Sequence, residues 1–168
     1  MAELSADIPA GFEPLPGKDT FIHHAGGVYW GERDDQFVLG FRVQEQHANP
    51  ARICAGGMLM TVMDLGLIIG IISRHPDGPF SPTMSLSVDF IAAAQIGDWI
   101  ESRVDFVHLT KRRGYVSGHL VGPQGVILRA NGTFNFPPAS DARFNNVNGA
   151  NLRNVVAARQ KLKNARGG

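Results

Sequence analysis

Sulfur is scarce in this chain: among 168 residues there is one cysteine, Cys54. A single thiol excludes an internal disulfide framework and suits a reducing compartment. Charge of one sign is missing too. Sixteen Lys and Arg stand against fifteen Asp and Glu, a formal net charge of +1, so the total points to neither nucleic acid nor an acidic partner. The six histidines show no metal-ligand spacing with one another, with Cys54 or with the acids, and no metal site is expected. Walker-type phosphate loops and dinucleotide fingerprints are absent, since Gly26-Gly27 and Gly56-Gly57 are too sparse for either. The opening residues 1–9 offer neither a basic nor an apolar signal region, which makes a cytoplasmic location the expectation. No apolar run reaches the roughly 20 residues of a membrane span, and no membrane partner is expected.

What is present is an ordinary globular balance, 43% hydrophobic and 18% charged, at a length that suits one core-forming domain. The charge is unevenly placed. Residues 139–168 carry six Lys and Arg against Asp141 alone, leaving a mildly acidic body before them. The chain divides into a Pro- and Gly-rich lead-in over 1–20, a domain over 21–138 and a basic extension over 139–168. Within the extension, 151–163 has the pattern of a short amphipathic helix, with disorder as the alternative.

The organising stretch runs from Met58 to Ile72, where apolar residues fall on every face of a helix and only Thr61, Asp64, Gly66 and Gly70 interrupt them. A helix apolar all round is buried on all sides, so this one is expected at the centre, carrying one buried acid. Strands surround it in sequence. Phe21 to Trp30 reads as a strand with a bulge at Gly26-Gly27, and Phe37 to Val43 alternates with period 2. After the helix, 83–90 places Met84, Leu86, Val88 and Phe90 on one face. Residues 99–107 then set Ile100, Val104 and Phe106 against Glu101, Arg103 and Asp105. Two more strands follow, 115–121 and 126–136, the last with Val126, Leu128, Ala130, Phe134 and Phe136 on one face. Runs of strands about one segregated helix predict an α+β fold with a mostly antiparallel sheet of about six strands.

Asn49, Gly56-Gly57, Asp64 eight residues after Gly56, and the strand Thr83 to Phe90 with Gly97-Asp98 beyond it form a specific set. The set resembles the hotdog-fold acyl-CoA thioesterases of the phenylacetate-degradation type, in the 4-hydroxybenzoyl-CoA thioesterase superfamily. The resemblance covers roughly residues 20–136. It implies strands wrapped around the central helix, subunits paired through their sheets as a homodimer, dimers assembled into a homotetramer, and an active site at the dimer interface. It also implies an acyl-CoA substrate and no cofactor. Asn49, Gly56, Asp64 and Thr83 fall where that family's functional residues fall. The chain departs from the family at one point: the usual His-Gly-Gly motif is here Ala55-Gly56-Gly57.

The residues set terms of their own. A buried carboxylate is costly and desolvation raises its pKa, so Asp64 is either a catalytic acid or base or a structural acid satisfied by a hydroxyl or an N–H. Eight helical residues span about 12 Å, so Asp64 cannot reach a carbonyl held at Gly56 of its own helix. If both act on one thioester, they come from different subunits. The expected roles are then polarisation of the carbonyl by the Gly56 N–H, with Gly57 beside it, at the positive end of the helix dipole. Asp64 serves as general base or nucleophile, Asn49 orients water or substrate, and Thr83 assists. Lys111, Arg112 and Arg113 form a basic turn suited to coenzyme A phosphates, though such clusters are commonly only solvated. Cys54, without a neighbouring His, reads as a small buried hydrophobe. Phe80 and Phe90 are candidate pocket walls. Two other readings stay open: a hotdog protein that binds acyl-CoA without hydrolysing it, favoured by Ala55, and a dehydratase or hydratase, disfavoured by the missing His.

Overall fold

The computed structural model describes residues 8–16, 20–76, 78, 80–138, 140, 141, 143 and 156. Its elements in order are β1 (Glu13–Pro14), α1 (Phe21–Ala25), β2 (Val28–Arg33), β3 (Gln36–Arg42), α2 (Gly56–Arg74), β4 (Thr83–Phe90), β5 (Trp99–Leu109), β6 (Arg113–Gly122) and β7 (Gly125–Asn135). A 3-10 turn at Glu45–His47 precedes α2. All strand pairs are antiparallel, and they form one sheet of order β1-β2-β3-β5-β6-β7-β4. Seven strands stand where about six were expected, the addition being the two-residue β1 paired to Tyr29 and Trp30. The short helix expected over 151–163 lies outside the described residues, except that Val156 is helical and 1% exposed.

The sheet curls about α2. Met63, Leu67, Ile69 and Ile71 of the helix reach 2% exposure or less, against Leu39, Phe41, Ile100, Leu120, Ile127, Leu128 and Phe134 of the strands. Glycines on the helix set how closely it approaches. A side chain at Gly66 would meet Ser102 at 2.8 Å, and one at Gly70 would meet Val104 at 2.8 Å. The helix is longer than its apolar run, at 19 residues, so by length and composition it could cross a membrane. More than half of it is buried inside the protein, which is the state of a core helix.

Four expectations are corrected. The segment from Phe21 is a one-turn helix rather than a strand: the N–H groups of His23 and His24 donate to the Thr20 carbonyl. Gly26 and Gly27, at φ 92° and 61°, stop it by adopting a backbone region that glycine alone enters cheaply. In β5 a register irregularity between Val104 and Phe106 turns Phe106 outward to 55% exposure, an inserted residue having reversed the alternation. In β7 an irregularity opposite Leu120 and Val121 exchanges two neighbours, leaving Val126 39% exposed and Ile127 fully buried. Finally, α2 is not covered on all sides. Gly57, Thr61, Asp64, Leu65 and Ile68, spaced to share one face, are exposed or half-buried along a single stripe.

Candidate active site

The start of α2 is unusual for what it omits. Ala55 occupies the N-cap position and supplies no side-chain hydrogen bond, although Ser, Thr, Asp or Asn ordinarily satisfies the free N–H groups there. Gly56 and Gly57 carry the first helical N–H groups, which have no acceptor within a helix. Gly57 is exposed and would accept a side chain without contact, whereas a Cβ at Gly56 would lie 2.9 Å from Cζ of Phe90. The Phe90 ring therefore rests against the bare Cα of Gly56. This gives Gly56 a second reason to be glycine besides an unobstructed N–H.

Asp64 sits two turns further on, half-buried on the open stripe. Its Oδ1 accepts a hydrogen bond from the Thr83 hydroxyl at 2.8 Å. Burial pushes the Asp64 carboxyl above the ordinary carboxylate range, and the Thr83 bond partly opposes that. A carboxylate raised toward neutrality and open on one side can take a proton from water. One strand serves both groups, since β4 starts with Thr83 at Asp64 and ends with Phe90 at Gly56.

Asn49 builds the loop that leads into the helix. Its Oδ1 accepts from the N–H of Ala51 at 2.9 Å and of Ile53 at 3.4 Å. Its backbone N–H donates to Ile53 O, and its carbonyl accepts from Arg52. Arg52 takes the strained φ of 63° that this tight loop needs. The loop is anchored where the Ala55 N–H donates to the His47 carbonyl at 2.7 Å. His47 does not stand in for the histidine missing at position 55. Its Nδ1 accepts from the Gln44 N–H and its Nε2 donates to the Ala25 carbonyl, so both nitrogens are engaged. Cys54 is buried, and burial raises its thiol to about 11, which removes it as a nucleophile near neutral pH.

The basic turn lies elsewhere. Lys111 and Arg112 are exposed, and Arg113 donates to Asn135 Oδ1. A side chain on the neighbouring Gly114 would meet Ile71 at 3.0 Å, which places this turn at the C-terminal end of α2, about 22 Å along the helix from Gly56. Within one chain the structure thus joins Asp64 to Thr83 and Gly56 to Phe90, and it keeps the basic turn apart from the helix start. The contact of Phe90 with Gly56 had no signal in the sequence beyond an aromatic at the end of a strand. Among the described residues no group of three or more His, Cys, Asp or Glu could hold a metal ion.

Comparison with known proteins gives a consistent result. Residues 52–128 match the model of the thioesterase superfamily. A Pseudomonas aeruginosa protein, provisionally named an esterase, is 30% identical over 133 residues, spanning 78% of this chain and 98% of the relative. Among solved structures, a mutant of the phenylacetic acid degradation protein PaaI from Thermus thermophilus superposes with a TM-score of 0.61 at 18% identity, covering 71% of this chain and all of that one. A Bacillus halodurans protein solved with CoA superposes with a TM-score of 0.60 at 22% identity, covering 65% and 73% of the two chains. A hypothetical thioesterase from Streptococcus pneumoniae, solved with coenzyme A, gives 0.58 at 18% identity over 68% and 93%. At these identities the structural likeness speaks for the fold.

Proposed function

Because the chain belongs to the thioesterase superfamily, we propose that it hydrolyses acyl-CoA thioesters to a free carboxylic acid and CoA. The observation that carries this reading is the pairing of an uncapped helix start at Gly56 with a desolvated carboxylate at Asp64. In the reaction, the thioester carbonyl oxygen accepts from the Gly56 N–H at the positive end of the α2 dipole. Asp64 removes a proton from water, and the resulting hydroxide adds to the carbonyl carbon. The tetrahedral oxyanion stays at the helix start. Its collapse breaks the C–S bond, and the sulfur leaves as thiolate and takes up a proton as CoA. The raised pKa of Asp64 suits the general-base role better than direct attack, because proton transfer is most effective when base and operating pH are close. Single turnover in ¹⁸O-water tests for direct attack, since opening of the resulting anhydride at its aspartyl carbon carries label into the Asp64 carboxylate, which the general-base route never does.

About 12 Å of helix separates Gly56 from Asp64, so the two meet only across subunits. Two features favour a homodimer. The half-open stripe of α2 that bears Asp64 also carries Leu65 and Ile68. Among the described residues, strand β4 ends the sheet with its outer edge free of a neighbouring strand, and Met84, Phe90 and Ile91 on and beside it are more than half exposed. An exposed apolar edge is a template for pairing with another chain. In such a dimer the partner's basic turn becomes available to the CoA phosphates. Further assembly into a tetramer belongs to the same reading.

The test is release of free thiol from a panel of acyl-CoAs by wild type, Asp64→Asn and Asp64→Ala. Turnover surviving both substitutions would sink the mechanism, and an active monomer in sedimentation would sink the shared site. Ala55 favours one other reading, a protein that holds acyl-CoA without cleaving it; tight binding with no thiol release from any substrate would select it.

A further inference from the structure

We propose that the wedge between β3 and β5 is a second ligand site, taking an uncharged small molecule with an apolar body and one hydrogen-bonding group. Three local devices build this opening. Pairing of β3 with β5 is confined to Gly40–Glu101, Phe41–Ile100 and Arg42–Trp99. The next ladder position is closed by a side chain, with the Leu39 N–H donating to Ser102 Oγ at 2.9 Å, and beyond it the strands part. The irregularity in β5 then brings Val104 and Val107, three residues apart, to the same side against Gly70.

The result is a cavity of about 270 Å³ floored by Phe37, Ile69, Gly70, Val104 and Val107. At about 30 Å³ per water that is room for roughly nine waters, or one small ring with a substituent. The mouth is polar: Asp35, Gln36, Ser73 and Arg74 line it. Arg74 is anchored by a hydrogen bond to the Val107 carbonyl at 2.8 Å, and the Ser73 hydroxyl donates to Ile69 O at 2.8 Å, leaving its oxygen free to accept. One carboxylate and one guanidinium balance, so the lining has no net charge. An ionised ligand would meet one rim group of opposite sign and one of like sign while losing water on the apolar floor, whereas an amide or alcohol finds donors and acceptors at the rim without that cost. This site is not the far end of the thioester site. Ile69, Gly70 and Ser73 lie about half a turn around α2 from Asp64, which faces β4 through Thr83. The inference therefore stands independently of the thioesterase reading.

The test is an NMR titration of the full chain with three probes of one shape: benzamide, benzoate and benzylammonium. Benzamide is expected to move the amide signals of Phe37, Gly70, Val104 and Val107 saturably, with the two charged probes at least tenfold weaker. Ser73→Leu, which fills the mouth from the helix, and Val107→Phe, which fills the floor from the strand, are each expected to weaken benzamide at least tenfold. Thiol release from acyl-CoA should be unchanged in either variant whose spectrum remains folded. Absence of saturation by benzamide, equal or tighter binding of a charged probe, or unchanged binding in both filled variants would overturn the proposal.

Discussion

Glu101 and Asp64 are both drawn in from solvent, and their surroundings could hardly differ more. Glu101 is 8% exposed and fully met: Arg103 donates to it at 2.7 Å, Trp99 Nε1 at 2.9 Å, and Arg33 lies 3.3 Å away. Asp64 is half-buried and has one neutral partner among the described residues, the Thr83 hydroxyl. Burial of an acid is thus not in itself a sign of chemistry. Glu101 has cations and a fixed donor that stabilise its charge and hold it still. Asp64 has desolvation and one hydroxyl, on a face open to a partner or substrate, which is the condition of a group that exchanges protons.

Substitutions at the two acids test this contrast most directly. Asp64→Asn keeps the shape and the acceptor for Thr83, and should lower kcat by about 10²–10⁴, the usual worth of a general base, with the fold intact by circular dichroism. Glu101→Gln should do the reverse, leaving kcat per folded molecule within about twofold. It should cost about 1–3 kcal/mol in denaturant unfolding, because the arginines around it lose their counter-charge. Comparable losses of activity in both variants would erase the distinction.

Gly56 sharpens the comparison from the other half of the site. A Cβ there would crowd Phe90 at 2.9 Å, so Gly56→Ala should cut kcat/KM by roughly tenfold, about 1.4 kcal/mol. Pairing it with Phe90→Leu should restore part of the loss in a double-mutant cycle; simple additivity would show that the ring contact is incidental.

The smallest effect concerns pH. The folded protein raises the Asp64 pKa, so the acid is at no disadvantage below the unfolded carboxylate value, where it is protonated in both states. As pH rises through the raised folded value, ionisation costs the folded state stability that an unfolded chain does not lose. Asp64→Asn should therefore unfold at a higher temperature than wild type near neutrality, with the gap closing in acid. A gap independent of pH would mean that Asp64 is not held against its charge.

Much of the architecture was open to reading from sequence. The helix announces itself because Met58 to Ile72 is apolar on every face. β6 and the part of β4 from Ser85 onward alternate plainly, whereas an irregularity between Thr83 and Ser85 turns Thr83 toward Asp64, off the face the alternation assigns it. The failures have a common physical cause. Period-2 reading assumes an unbroken ladder, and a single irregularity in β5 or at β6–β7 sends Phe106 outward and buries Ile127 instead of Val126. Gly26 and Gly27 were ambiguous because a bulge and a helix stop both need positive φ. At the site, Asp64 stands out as a lone acid in an apolar helix. Glu101 shows no such mark, because its partner Arg33 reaches it from β2, across the intervening β3, and Trp99 and Arg103 from its own flanks. The seat of Phe90 on Gly56 depends on contact between elements distant in sequence, which no local pattern records.

The three-pair seam between β3 and β5 has one more consequence. Apart from the two-residue β1 at the margin, it divides the sheet into a small leaf of β2 and β3 and a large one of β5, β6, β7 and β4, each held by a longer ladder than the seam. Hydrogen exchange follows local opening, and opening is easiest where the fewest bonds must part. The amides of β3 and β5 along this seam should exchange before those shared by β6 and β7, so that the molecule breathes as two leaves along a single crease.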